Sequence, residues 1–303
     1  IVFLKKLMIL DGKKDLKQNE LIMRLNGLIW RSEMNHKRIQ HFLILIISCI
    51  LLISCSSSPT GRSQMILKSE VALEQEGARQ FRKLRESLPL VRDPVIIDYV
   101  ACVTNAIVDV VEGDSANLYW ELAVVDQPDV NAYVLPGGKI VVNTGILTMA
   151  TNQDQLAAVI GHEVAHVTAR HANERASRAA ITGIGVDIAA IIVGGGYRNQ
   201  TQGAREALST GAVLGLLNPF SRLQESEADI IGIEYMAKAG FDPRESVELW
   251  KKMNAKNSSK IPEYLSTHPS GETRIDDLIA QYPSSLEYYN NAKSDGLRPS
   301  CDP

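Results

Sequence analysis

Apolar residues recur every three or four positions through several stretches of the chain, and these stretches predict helices. Residues 69–86 form a charged amphipathic helix. Asp93-Pro94 opens a second, with Asp93 as N-cap and Pro94 at the first helical position; its apolar stripe runs through Ile97, Val100, Ala101, Ile107 and Val108. The period then changes. Residues 118–125 read as a strand, and residues 132–135 and 139–142 flank Pro136-Gly137-Gly138, the turn signal of a hairpin. A long helix over residues 153–178 starts behind Thr151 or Asn152, either of which caps it. Residues 221–239 form a helix ended by Gly240. Asp242-Pro243 starts the next, to about residue 254, and residues 273–281 form the last clear helix, before Pro283. The pattern is that of a mostly helical α+β chain with one small β-sheet or hairpin.

Residues 179–217 depart from this. An apolar, Gly-containing run with Asp187 inside it is followed by a polar patch over residues 197–206 and a second apolar run. A membrane span needs roughly 20 residues with few charges. The segment reads either as a helical hairpin over or beside an active site, or as ordinary core helices. Gly183-Ile184-Gly185 follows a helix and lacks the third glycine of a dinucleotide fingerprint.

The N-terminus reads as processed sequence. Met34 to Arg38 is a basic region, residues 42–53 are an apolar run too short to span a bilayer, and Leu52-Ile53-Ser54-Cys55 resembles a bacterial lipobox. On this reading residues 1–33 are an over-extended gene start, residues 34–54 a lipoprotein signal peptide, Cys55 the lipidation site and residues 55–68 a tether. Residues 69–285 are then the main folded domain and residues 286–303 a C-terminal tail. The alternative is a genuine longer N-terminus. Ser56 after Cys55, in place of Asp, favours the outer membrane of a Gram-negative cell.

The 303 residues carry 32 Lys/Arg and 35 Asp/Glu. Removing residues 1–54 takes away nine basic and four acidic side chains and leaves a balance of −8, which argues against nucleic acid as a partner. Cys102 and Cys301 would remain with Cys55. An oxidising periplasm permits a disulfide between them; the alternative is that Cys102 is a small buried apolar residue.

Inside the helix of residues 153–178 the chain spells His162-Glu163-Val164-Ala165-His166. Residues four apart lie about 40° apart around a helix, so both imidazoles reach one metal ion. Glu163 lies beside them, where a carboxylate takes a proton from an activated water. A catalytic zinc needs a third protein ligand and an open position. Glu225 and Asp229, four apart on a separate helix, supply the candidates: one binds zinc and the other hydrogen-bonds a ligand histidine. Glu227 should face elsewhere. His171, nine residues past His162, reads as structural on the opposite face of the helix. Arg222 and Arg274 either pair with these carboxylates or lie in solvent.

His162-Glu163-x-x-His166 followed by Glu225-x-x-Ala228-Asp229 resembles the zinc metallopeptidase family of the CAAX prenyl protease, HtpX and the Oma-type peptidases. The stretch from Asn131 to Lys139 matches its N-A-x-x-x-P-G-G pattern, and Ser266-Thr267-His268-Pro269 with Arg274 resembles its periplasmic lipoprotein branch, similar to BepA, LoiP and YcaL. The resemblance spans residues 60–285. It implies a zincin-like metallopeptidase domain, one zinc ion per chain, His162, His166 and Glu225 as ligands, Asp229 behind them and Glu163 as catalytic base. For His268 it implies a latch that fills the open zinc position; oxyanion stabilisation, or a loop histidine capping the next helix, are the alternatives. BepA-like members carry a C-terminal helical-repeat domain for which few residues remain here, so roles resting on it are not expected.

Together these expectations describe a lipid-anchored zinc metalloendopeptidase of periplasmic quality control, acting on unfolded or misassembled envelope proteins. Residues 131–142 would offer an edge strand for extended substrates, or form a purely internal hairpin. A chaperone or assembly factor with latent or minor proteolysis is the reading from another class, and a peptidase confined to small peptides is a third.

Overall fold

The computed structural model describes residues 38–39, 41–42, 55–181, 221–255, 264, 268 and 273–301. Most of the expected signal peptide (residues 34–54) and residues 182–217 of the glycine-containing segment lie outside the described residues.

A two-stranded ribbon, β1 (Cys55–Ser57) and β2 (Ser63–Met65), leads into helix α1 (Glu70–Ser87). The Ser69 side chain caps α1 by accepting from the Ala72 N–H, and Leu73, Gly77 and Phe81 are buried at a spacing of four. Helix α2 (Pro94–Val108) is capped by Asp93 and buries Tyr99, Val100, Val103, Thr104 and Ile107. A short 3-10 turn over Gly113–Asn117 precedes strand β3 (Glu121–Val125).

Strands β4 (Ala132–Leu135) and β5 (Lys139–Asn143) pair antiparallel, as the turn signal predicts, with Gly137 and Gly138 at φ of 80° and 74°. In that region of backbone space a Cβ clashes, so glycine is the fitting residue. The partner of β3 was not legible. It lies parallel to β5 with Ala123 opposite Val141, giving the order β3-β5-β4. The central strand β5 is buried along its whole length, and β4 forms an edge.

The expected helix over residues 153–178 is two helices. α3 (Gln153–Thr168) starts at Asn152, whose side chain accepts from the Gln155 N–H at 2.8 Å. Residues 155–166 are all buried, so this is the central helix of the domain. It stops at Ala169. Arg170 has φ of 54°, the one non-glycine left-handed residue among the described residues, and α4 (His171–Ile181) follows in a new direction. A left-handed non-glycine residue costs roughly 1–2 kcal/mol. The break is held by tertiary contacts: the Gln64 side chain donates to the Ala169 carbonyl at 2.5 Å, which takes that acceptor away from a continuing helix.

Helix α5 (Arg222–Lys238) starts in a capping box between Ser221 and Gln224. It packs along α3 with the two backbones in close approach. A Cβ on Gly161 would lie 2.8 Å from the Gly232 carbonyl oxygen, and one on Gly232 would lie 2.8 Å from the His162 backbone nitrogen. Helices α6 (Arg244–Ala255) and α7 (Arg274–Ala280) complete the surround. The expected helix over residues 273–281 is α7, which ends before Pro283 as expected, but it is not the last: a further helix, α8 (Tyr282–Ser294), follows and runs past residue 285, where only a tail was expected. Pro283 lies in the first turn of α8, where its missing N–H leaves no bond unmade.

Cys102 and Cys301 form a disulfide with Cα atoms 5.7 Å apart, so of the two readings of Cys102 the bridge is the one observed. It ties α2 to the C-terminal strand of chain, which also hydrogen-bonds Gln153 at the start of α3 through Pro299 O and Cys301 N.

The glycine contact yields a stability prediction. Gly232→Ala forces a methyl against the α3 backbone and is expected to cost about 1–3 kcal/mol, as overpacking does. Urea unfolding of the variant beside wild type measures it, and an unchanged midpoint would contradict the close crossing.

Candidate metal centre

Two helices and one residue from a third segment meet at the metal site. α3 contributes His162, Glu163 and His166 from its last two turns, α5 contributes Glu225 from its first turn, and His268 enters from the stretch before α7. All are buried. His162 Nε2 lies 3.1 Å from His166 Nε2, 3.1 Å from His268 Nδ1 and 3.3 Å from Glu225 Oε2. Glu225 Oε1 is 3.5 Å from His166 Nε2 and 3.2 Å from His268 Nδ1.

Zinc held by nitrogen and oxygen at about 2.0–2.1 Å in a tetrahedron separates its ligand atoms by about 3.3–3.4 Å, which is the spacing seen here. The electrostatics agree. Three imidazole nitrogens and a carboxylate crowd one buried point, and Glu225 Oε2 lies 3.3 Å from His162 Nε2 and 3.6 Å from Arg274 without a well-aligned hydrogen bond among the described residues. Such an arrangement is stable only around positive charge. Burial alone would lower the proton affinity of His162, but its bonds to Asp229 and Glu225 outweigh that and push its pKa up to about 9. Burial also opposes ionisation of Glu225, yet His268 and His162 hold it well below the usual carboxylate range. The donor set fits a zinc ion.

The residues behind the ligands fix their orientation. Asp229 accepts from His162 Nδ1 at 2.9 Å, so that ring presents its Nε2 lone pair to the cluster. Arg274 donates to Asp229 Oδ1 at 2.6 Å, lies 3.6 Å from Glu225, and stacks its guanidinium 3.3 Å above the Trp250 ring. Of the two arginines left open by the sequence, Arg274 is buried at the site and Arg222 is exposed. Glu163 is 1% exposed, with Oε1 3.4 Å from His268 Nε2. Burial raises its pKa above the usual carboxylate range.

His268 departs from the helix-capping alternative: it stacks on Tyr264 at 4.6 Å and aims into the cluster as a fourth donor. Tyr264 and Trp250 gave no signal in the sequence beyond being aromatic. His171 is a correction. It was expected on the face opposite the metal, but the break at Arg170 swings it back, and its Nδ1 lies 2.8 Å from His166 Nδ1. Glu227 does face away from Glu225, and there it meets His171 Nε2 at 3.1 Å. Arg62, read only as part of a polar tether, contacts both Glu227 and Glu174. No local pattern announces any of these.

Beside His166 a cleft of about 180 Å³ runs between the end of edge strand β4 (Val134, Pro136, Gly137) and Leu73 of α1, with Arg170 at its border. Among the described residues no helix is long and apolar enough to cross a membrane.

Comparison with known proteins agrees with this geometry. The pattern described as Peptidase family M48 matches residues 98–281. The chain is 40% identical over 189 residues to the mitochondrial metalloendopeptidase OMA1 of Schizosaccharomyces pombe, covering 62% of this chain and 53% of that protein. It is 35% identical over 182 residues to OMA1 of Saccharomyces cerevisiae (57% and 50%). It is 31% identical over 209 residues to the beta-barrel assembly-enhancing protease of Escherichia coli K12 (67% and 42%). The chain thus spans about half the length, or less, of these curated relatives.

The hydrogen bond from His162 to Asp229 carries a prediction. Asp229→Ala is expected to weaken zinc binding about 10–100-fold, the usual cost of losing such a partner. Competition against a colorimetric chelator checks it.

Proposed function

The chain belongs to peptidase family M48, and on that premise we propose that it is a zinc-dependent metalloendopeptidase that cuts misfolded or stalled envelope proteins while anchored by lipid at Cys55. The observation that carries the reading is the convergence of His162, His166 and Glu225 on one point with Glu163 beside it. When bound, zinc polarises the scissile carbonyl and acidifies the attacking water. Glu163 takes the water's proton and passes it to the leaving amine. Its raised pKa brings it nearer the pH at which it must both accept and give. Asp229 and Arg274 keep His162 in one tautomer throughout.

Strand β4 lies at the edge of the sheet next to the cleft at His166, and an extended substrate would add to that edge by main-chain hydrogen bonds. Recognition of that kind reads backbone rather than side chains, and it selects chains that are locally unfolded. The Cys102–Cys301 disulfide supports an oxidising compartment, and the lipobox at Cys55 supports attachment to the outer membrane from the periplasmic side. Residues 34–54 then act as signal peptide, residues 55–68 as tether and the remainder as the peptidase domain.

His268, as a fourth donor, occupies the coordination position that a substrate carbonyl or water needs, and so holds the enzyme latent. This contact also favours a second reading, in which the protein binds and assembles envelope proteins and cuts rarely.

Three outcomes are expected. Casein digestion should stop with a chelator and fall about 10²–10⁴-fold in Glu163→Gln. His268→Ala should raise casein digestion if His268 latches the site; a fall would assign it to oxyanion stabilisation instead. In cells lacking the gene, Glu163→Gln should fail to rescue envelope defects. Full rescue would favour the binding role.

A further inference from the structure

The two histidines of the motif are oriented differently. His162 rests directly on the carboxylate of Asp229. His166 Nδ1 meets another imidazole, His171, at 2.8 Å, and His171 Nε2 in turn meets Glu227 Oε2 at 3.1 Å. Glu227 is held from the far side. Thr60 Oγ1 donates to its Oε1 at 2.5 Å and Arg62 Nε to its Oε2 at 2.8 Å. Arg62 also forms a two-pronged bond to Glu174 of α4, at 2.9 and 2.8 Å.

We propose that Arg62, Glu227 and His171 are positioning residues that orient His166 for zinc, and that through them the N-terminal strap of residues 58–68 sets the metal affinity of the site. The inference rests on the zinc-site reading above.

The direction of each bond follows from donor and acceptor inventory. A carboxylate only accepts, so His171 must donate Nε2–H to Glu227. His166 offers Nε2 to zinc, which leaves its proton on Nδ1. That proton needs an acceptor, and the Nδ1 lone pair of a neutral His171 is the atom facing it. The two ends of the relay therefore demand the same tautomers, and the acidic end is fixed by Arg62. Without Arg62 and Thr60, Glu227 loses the bonds that hold its two oxygens in place, and the carboxylate can turn away from His171. His171 is then free to flip, and His166 loses the acceptor that keeps Nε2 bare.

The strap is bound to the same helices by independent contacts. Gln64 donates to the Ala169 carbonyl at 2.5 Å, and the Leu67 N–H donates to Ser177 Oγ at 2.7 Å. These hold the break between α3 and α4, which is what carries His171 back to His166. The strap begins only three residues after Cys55.

The test uses the whole chain after Cys55. Zinc affinity is measured by chelator competition, and the unfolding temperature of zinc-free protein is measured in parallel. His171→Phe should raise the zinc dissociation constant about 10–100-fold and Arg62→Ala about 10-fold, the range seen when the partner of a ligand histidine is lost. Arg62→Lys should recover part of the loss. Zinc affinities within twofold of wild type in both His171→Phe and Arg62→Ala overturn the relay, and so does a lower zinc-free unfolding temperature with no change in affinity. Arg62 is 21% exposed, so its pair of variants decides the matter if His171→Phe fails to fold. Wild-type protein that binds no zinc would overturn the metal-site reading itself, and the relay with it.

Discussion

The close crossing of α3 and α5 at Gly161 and Gly232 is the constraint on which the site depends. Each glycine faces the other helix's backbone at a distance no side chain would allow. With the backbones so near, the short reach of Glu225 suffices to bring its carboxylate to the two histidines of α3. A wider crossing of ordinary helices, with axes about 8–10 Å apart, would leave that carboxylate short of the imidazoles. The surrounding core serves this contact: α2 and β4 pack against α3, and α8 packs behind α5.

Bringing so many ionisable groups into one dry place is costly unless each has an assigned partner. The domain meets that demand with two layers. Nearest the metal position are His162, His166, Glu225 and His268. Behind them lie Asp229 with Arg274 on one side, and His171, Glu227 and Arg62 on the other. Each outer carboxylate is matched by an arginine, so negative charge near the ligands is balanced without a cation entering the coordination sphere. Arg274 is covered by Trp250, which keeps water from competing for its bonds.

What was legible in the sequence is what local physics decides. The caps at Asp93 and Asn152 appear where a polar side chain precedes an apolar period, because capping involves residues only two or three apart. The grouping of His162 with His166, and of Glu225 with Asp229, follows from helical geometry in the same way. The illegible parts are set by distant partners. Arg170 looks like any helix-forming residue, and the contact that takes up the Ala169 carbonyl comes from Gln64, far away in sequence. The parallel pairing of β3 with β5 is a choice of neighbour, which no pattern within either strand records. His171 was misplaced because a straight helix was extrapolated through a bend. The angular argument about Glu227 was sound, but it said only where the side chain does not point.

The disulfide has a consequence for how damage to this molecule would look. Cys102 and Cys301 stand 199 residues apart and enclose the HExxH helix, Glu225 and His268 between them. A single nick anywhere in that span leaves both fragments covalently joined. Clipped and intact chains would then migrate alike on a non-reducing gel and separate only after a thiol is added, and a chain cut once could keep its folded scaffold where an unbridged one would fall apart.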